Sequence, residues 1–207
     1  IINDVLDKKY DAQVVRTKNR PIASGKISIK LAVIYSLLLC FFALLVLLNF
    51  NFFTIILAIG SMPLAFTYPL MKRFTYWPQL FLGITFNYGL ILGWTAIKGE
   101  ISIVPVLFYL GAIFWTLGYD TIYGYQDIKD DEIIGLKSTS IKFKGKAKNF
   151  LSLCYSALMV FFIVGGYFMQ FHYSYYLLLI IPLMHLFLYQ IRTVSYTHLR
   201  AHETPIN

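Results

Sequence analysis

Apolar residues are gathered into six long blocks that contain no Asp, Glu, Lys or Arg. The blocks cover residues 31–50, 52–71, 74–97, 101–119, 149–171 and 173–191. Each block has about the ~20 residues that a helix needs to cross a hydrocarbon layer of ~30 Å. The pattern therefore predicts an all-α, polytopic membrane protein with six transmembrane helices.

Composition and charge support this interpretation. The chain is 58% hydrophobic and 14% charged, whereas soluble domains carry about 25% charged residues, so a soluble all-helical enzyme is excluded. Alternating the six spans places 17 of the 18 Lys and Arg residues on one side and leaves only Lys98 on the other. This asymmetry predicts that the basic side faces the cytoplasm. It also explains the net charge of +8 without nucleic acid, which we do not expect as a partner.

The first polar segment, IINDVLDKKYDAQ, predicts a short helix with an acidic face. At ~100° per residue, Asp4, Asp7 and Asp11, together with Asn3, fall within about 100° of its circumference. Carboxylates so close together repel one another unless a cation neutralises them, and a donor set of oxygen atoms alone suits Mg²⁺. Taken alone, the segment could equally be an acidic face exposed to solvent.

The second polar segment, YDTIYGYQDIKDDEIIGLKST, repeats this arrangement on the same side of the membrane. Asp120, Asp127 and Asp131 fall within about 40° on a helix, while Asp130 lies about 80° away. Gly124 projects between the carboxylates, and we interpret it as room for a ligand. Eight of the ten acidic residues lie in these two segments, so together they predict one metal site. Neighbouring Lys and Arg residues suit a diphosphate, which accepts charge-assisted hydrogen bonds.

These segments resemble the two signatures of the UbiA superfamily of intramembrane prenyltransferases. NDVLDKKYDAQVVRTKNRPIASG matches NDxxDxxxD followed by RTxxRPxxSG, and YDTIYGYQDIKDD matches DxxxGxxDxxxD. The segment TYPLMKRFTYWPQ is similar to the branch that prenylates 4-hydroxybenzoate in ubiquinone biosynthesis. The resemblance implies a nine-helix bundle, of which residues 1–194 form a part, with the chain cut short at both ends. We interpret residues 195–207 as a tail that is not native to the protein.

The resemblance also implies a reaction and a set of site residues. Mg²⁺ is expected to bind polyprenyl diphosphate, whose polyprenyl group is transferred to the ring carbon ortho to the phenol of 4-hydroxybenzoate. The expected metal ligands are Asp4, Asp7, Asp11, Asp120, Asp127 and Asp131. Four of them, namely Asp4, Asp7, Asp120 and Asp127, are the expected catalytic residues. The residues expected to bind substrate are Asn3, Arg16, Tyr68, Lys72, Arg73, Tyr123 and Lys137.

Two alternatives remain open at this point. One is another branch of the superfamily, acting in haem O, menaquinone or lipid synthesis, and the other is a divalent-cation transporter. Membrane lipid is an expected partner, and no oligomeric state is predicted. We expect a bacterial inner membrane, or else the mitochondrial inner membrane. The aspartate-rich loops then face the cytoplasm or the matrix.

Overall fold

The protein was analysed as a computed structural model that describes residues 1–14 and 17–194, which contain helices and turns but no β-strand. The α-helices are α1 (Ile2–Asp11), α2 (Ile29–Leu47), α3 (Phe52–Thr67), α4 (Met71–Phe74), α5 (Pro78–Phe86), α6 (Gly89–Lys98), α7 (Ile103–Tyr123), α8 (Ile128–Ile133), α9 (Thr139–Lys142), α10 (Ala147–Phe168), α11 (Tyr173–Leu178) and α12 (Ile180–Met184). Short 3₁₀ turns occupy Tyr68–Leu70 and Gly124–Asp127, and a π-helical turn occupies His185–Gln190. The predicted all-α class is confirmed.

Six helical stretches among the described residues are long and apolar enough to cross a membrane. They are Ile29–Leu47, Phe52–Phe74, Pro78–Lys98, Ile103–Ile133, Ala147–Phe168 and Tyr173–Val194. These stretches correspond one by one to the six uncharged blocks, so the predicted number of spans is confirmed. The fourth is longer than its block because helical turns continue through the second acidic segment.

Helices α7 and α10 form the centre of the bundle. In the apolar stretches of their spans 44% of the residues are buried, against 6% in α2. Apolar residues gain little from leaving lipid for protein, so close packing of small residues must hold such helices together. At Gly118 a Cβ atom would lie 2.6 Å from the ring of Tyr155, and at Gly111 it would lie 2.6 Å from the ring of Phe162. Glycine therefore lets α7 and α10 approach each other.

The third span is interrupted between α5 and α6. The side chain of Asn87, at the interruption, donates hydrogen bonds to Gly83 O at 2.8 Å and to Thr116 Oγ1 at 2.7 Å. These bonds satisfy the buried amide where the helix is broken. The uncharged block 74–97 predicted one membrane span here, and the stretch Pro78–Lys98 confirms it. Hydropathy alone does not show where a helix is interrupted within a span.

The two polar segments meet at one end of the bundle. The predicted helix in the first segment is confirmed as α1. In the second segment, the left-handed residue Gly135 (φ 74°) ends α8 and turns the chain back towards α4. The backbone N–H of Lys137 then donates to the carbonyl oxygen of Lys72 at 2.8 Å. This contact joins the second acidic segment to the end of the second span.

Candidate active site

The carboxylate of Asp7 is the most deeply buried acidic group of the first segment. Asp7 is 1% exposed, and its two carboxylate oxygens face Lys72 Nζ and, at 3.5 Å, Arg73 Nη2. The same Arg73 nitrogen donates to the backbone carbonyl of Leu6 at 2.8 Å. A buried charge requires such partners. Asp7, a predicted catalytic residue, therefore also holds α1 against α4.

The other two aspartates of α1 share a single arginine. Arg20 Nη1 lies 3.3 Å from Asp4 Oδ1 and 3.1 Å from Asp11 Oδ2. Thr17 adds a hydrogen bond of 2.9 Å from its hydroxyl to the carbonyl oxygen of Asp11. All three carboxylates of the first segment thus contact basic side chains of the protein itself.

The second segment is supported by buried neutral groups. The hydroxyls of Thr121 and Thr139 lie 2.6 Å apart, and Ser140 Oγ donates to the carbonyl oxygen of Thr121 at 2.7 Å. The backbone N–H of Thr139 donates to Gln79 Oε1 at 2.9 Å. The three hydroxyl residues are fully buried and Gln79 is 6% exposed. These bonds connect α7, α9 and α5 behind the aspartates.

The structure gives Gly124 a different role from the one inferred from sequence. A Cβ atom at this position would lie 2.4 Å from Ser140 Oγ. The space beside Gly124 is therefore filled by the buried Ser140 side chain, and the interpretation that it leaves room for a ligand is wrong. Glycine is required here for close packing of α9 against the end of α7.

Two neighbouring cavities bring the two acidic segments together. The larger, of about 180 Å³, is lined by aspartates of both segments, namely Asp7, Asp11, Asp127, Asp130 and Asp131. The smaller, of about 150 Å³, is lined by Asp120, Tyr68, Lys137 and Gln79, among others. Asn3, Lys72 and Asp131 line both cavities. Because they share these walls, we describe the cavities as one bipartite site.

The chemistry of the donors in this site fits Mg²⁺. Every anionic side chain that lines the larger cavity is a carboxylate, the ligand type that Mg²⁺ prefers. Within residues 1–14 and 17–194, however, no three acidic, His or Cys side chains are close enough together to hold a metal ion as they stand. In the first segment the reason is visible, because its carboxylates face Lys72, Arg73 and Arg20.

Most of the predicted site residues line the two cavities, but some do not. Those that line the bipartite site are Asn3, Asp7, Asp11, Tyr68, Lys72, Asp120, Asp127, Asp131 and Lys137. Asp4 and Arg73 line neither cavity and contact the site through Arg20 and Asp7 respectively. Tyr123 also lines neither cavity and is 50% exposed. Arg16 lies outside the described residues, as does the segment 195–207.

Asp130, Arg20 and Gln79 are among the cavity-lining residues that sequence reasoning missed. Asp130 was placed off the acidic face because one continuous α-helix was assumed from Asp120 onward, whereas a 3₁₀ turn separates α7 from α8. Its i+3 spacing from Asp127 could have identified it. Arg20 was not selected among the basic residues around it, although it lies in the RTxxRP part of the first signature. Gln79 carried no signal, because a single amide in an apolar block has no distinctive spacing.

The chain is similar to proteins of a known family. The model of the UbiA prenyltransferase family matches residues 1–204. The mitochondrial 4-hydroxybenzoate polyprenyltransferase of Homo sapiens is 51% identical over 152 residues, which are 73% of this chain and 41% of that protein. The protein of the same name from Arabidopsis thaliana is 44% identical over 176 residues, which are 84% of this chain and 43% of that protein. The chain thus spans about two fifths of the length of these curated relatives.

The fold has a counterpart among solved structures. The apo structure of a UbiA homolog from Aeropyrum pernix K1 superimposes with a TM-score of 0.73 at 22% identity, covering 98% of this chain and 83% of that one. Its identity is low, so this likeness concerns the fold alone. The match to the family over nearly the whole chain also removes the basis for a transporter. The chain belongs to the UbiA prenyltransferase family.

Proposed function

We propose that this protein forms the catalytic part of a Mg²⁺-dependent 4-hydroxybenzoate polyprenyltransferase. The observation that carries the proposal is the bipartite site, in which aspartates of both signatures line the same cavities beside Lys72 and Lys137. The names of its relatives from animals and plants support the choice of acceptor. The substrates are then a polyprenyl diphosphate, supplied from the membrane, and 4-hydroxybenzoate, the aromatic acceptor in ubiquinone biosynthesis.

The carboxylates of the site are the proposed metal ligands. Asp7, Asp11, Asp127 and Asp131 line the larger cavity and Asp120 the smaller one, while Asp4 reaches the site through Arg20. When bound, Mg²⁺ neutralises the diphosphate and makes it a better leaving group. Lys72 and Lys137 provide ammonium groups on the cavity wall that can bind phosphate oxygens.

The transfer is an electrophilic aromatic substitution. The C–O bond between the allylic carbon and the diphosphate breaks, and the ring carbon ortho to the phenol forms a new C–C bond with that carbon. A base removes the proton from that ring carbon, and the diphosphate released when the C–O bond broke dissociates from the site. The apolar spans beneath the site suit this reaction, because they accommodate the polyprenyl tail and limit the access of water to the cationic carbon.

The location of the site follows from the distribution of charge. Both acidic segments belong to the side that carries 17 of the 18 Lys and Arg residues, so we place the site on the cytoplasmic or matrix side of the membrane. The curated relatives named above are mitochondrial. They favour the mitochondrial inner membrane over the bacterial inner membrane as the place of action.

A transfer assay with alternative acceptors tests the proposal. Membranes that contain the full-length protein are supplied with Mg²⁺, a radiolabelled polyprenyl diphosphate and either 4-hydroxybenzoate, haem or dihydroxynaphthoate. We expect a prenylated product only with 4-hydroxybenzoate, and none when EDTA removes the metal. Product with another acceptor alone would assign the chain to a different branch. Absence of transfer with every acceptor, from folded protein, would contradict the proposed activity.

A further inference from the structure

The smaller cavity contains two hydrogen-bond donors that have no acceptor in the part of the chain that the structure describes. They belong to Gln79 and Ser138, which are 6% and 5% exposed. A donor in a cavity wall can bind an acceptor that enters the cavity, so two unused donors side by side mark a place where a ligand oxygen can bind. Gln79 lies outside both acidic segments, and Ser138 lies near the end of the second one, after its last aspartate, Asp131.

The orientation of the Gln79 amide is determined by its neighbour. The backbone N–H of Thr139 lies 2.9 Å from the amide and can only donate, so Oε1 must be the atom that faces it. The two N–H groups of Nε2 then point away from Thr139, and this nitrogen has no hydrogen-bond acceptor among the described residues. Gln79 lines the cavity, which is where a ligand acceptor can reach these donors.

The hydroxyl of Ser138 also has an unused hydrogen-bond donor. Its hydroxyl oxygen accepts a hydrogen bond of 3.2 Å from the backbone N–H of Ile141 and so caps α9. A hydroxyl also has one proton to donate, and that proton finds no acceptor in the described parts of the chain. Because Gln79 is bonded to Thr139, which directly follows Ser138, the two donors lie on adjacent parts of the cavity wall.

We propose that Gln79 and Ser138 form a donor pair that binds an anionic oxygen of a substrate in the smaller cavity. The inference rests on the proposed prenyl transfer and names two residues that determine the affinity for one substrate. Two substrates carry suitable oxygens, namely the carboxylate of the aromatic acceptor and the diphosphate of the prenyl donor. In both cases the pair supplies neutral donors on the same wall as Lys72 and Lys137, whose charge favours an anion.

The test replaces each donor by an isosteric or compact carboxylate. Gln79→Glu retains an oxygen that accepts from Thr139, and Ser138→Asp retains a side chain that caps α9 well. Both variants lose the ability to donate. Gln13→Glu, at an exposed position outside both cavities, introduces the same charge near the first segment and serves as the matched control.

Kinetics of the full-length enzyme in membranes distinguish the two possible ligands. We expect Gln79→Glu and Ser138→Asp each to raise the KM for one substrate by about 10-fold or more, as loss of a hydrogen bond to a charged group does. A higher KM for 4-hydroxybenzoate identifies its carboxylate, and a higher KM for the polyprenyl diphosphate identifies the diphosphate. The melting temperature should fall only slightly, because Lys72 and Lys137 on the same cavity wall can pair with the new carboxylate. Both constants should remain those of the wild type in Gln13→Glu.

Three results would overturn the inference. If both carboxylate variants have wild-type KM values while the wild type transfers prenyl groups, the donor pair does not bind substrate although the proposed function stands. If the variants lose activity only in proportion to a lower melting temperature, the two residues are structural. If both variants are stable but their KM values rise equally for both substrates, the added negative charge, and not the lost donor, is the cause. A wild type without any transfer activity would instead contradict the proposed function.

Discussion

The two acidic segments carry the same type of residue but are held in place by different interactions. In the first segment the carboxylates themselves provide the contacts, since Asp7 binds Lys72 and Arg73, and Asp4 and Asp11 bind Arg20. In the second segment, neutral groups behind the aspartates provide them, through Thr121, Thr139, Ser140 and Gln79. Function and stability therefore depend on the same atoms at Asp7 in the first segment, whereas at Asp120 in the second segment they depend on separate atoms.

The largest effect is expected from Asp7→Ala. The substitution leaves Lys72 and Arg73 without their buried partner, and breaking such a pair costs roughly 3 kcal/mol. We expect loss of detectable transfer together with a clearly lower melting temperature in detergent. Asp4→Ala is the control, because Asp4 is 35% exposed and a pair of that kind contributes at most about 1 kcal/mol. Equal melting temperatures for the two variants would contradict the structural role assigned to Asp7.

The corresponding change in the second segment should separate activity from stability. Asp120 lines the smaller cavity, and no ion pair of its side chain is seen with the described residues. We expect Asp120→Asn to reduce kcat/KM by about 10²-fold or more, as loss of a preorganised electrostatic contact does, without lowering the melting temperature. Glu132→Gln, at an exposed residue 2.6 Å from Lys144, should retain nearly full activity. A large loss of stability in Asp120→Asn would remove the difference between the two segments.

The support behind the second segment can be tested at Gly124. A methyl group there meets the buried Ser140 Oγ at 2.4 Å, and overpacking of this kind costs about 1–3 kcal/mol. We expect Gly124→Ala to lower the melting temperature. Gly93→Ala is the matched control, since no atom lies within 4 Å of a Cβ atom at that position. The control should be neutral or slightly stabilising, because alanine favours a helix more than glycine does.

The smallest effect is expected at Arg20. Its side chain is 37% exposed, so its two ion pairs are well solvated and each contributes at most about 1 kcal/mol. Arg20→Gln should change the melting temperature only slightly, and the change should shrink further at 0.5 M salt. A change as large as that of Asp7→Ala would mean that the first segment depends on Arg20 as much as on Lys72 and Arg73.

Hydropathy and residue spacing predicted the membrane spans, α1 and five of the six aspartates that line the site. They did so because uncharged blocks of about 20 residues are rare outside membranes, and because carboxylates clustered at the ends of such blocks usually serve a function. Contacts between distant segments could not be predicted, since nothing in the sequence links Asp7 to Lys72 or Gln79 to Thr139. The interruption at Asn87 and the packing of Ser140 against Gly124 could not be predicted for the same reason. Both depend on how helices far apart in the chain fit together.

The central claim is that both acidic segments contribute to one metal and diphosphate site. Mn²⁺ binding to the purified full-length protein, followed by electron paramagnetic resonance with and without inorganic pyrophosphate, tests it most directly. The account predicts that pyrophosphate strengthens Mn²⁺ binding to the wild type. Asp11→Asn in the first segment and Asp131→Asn in the second should each weaken that binding about 10-fold or more. Unchanged Mn²⁺ affinity in either variant would contradict a shared site.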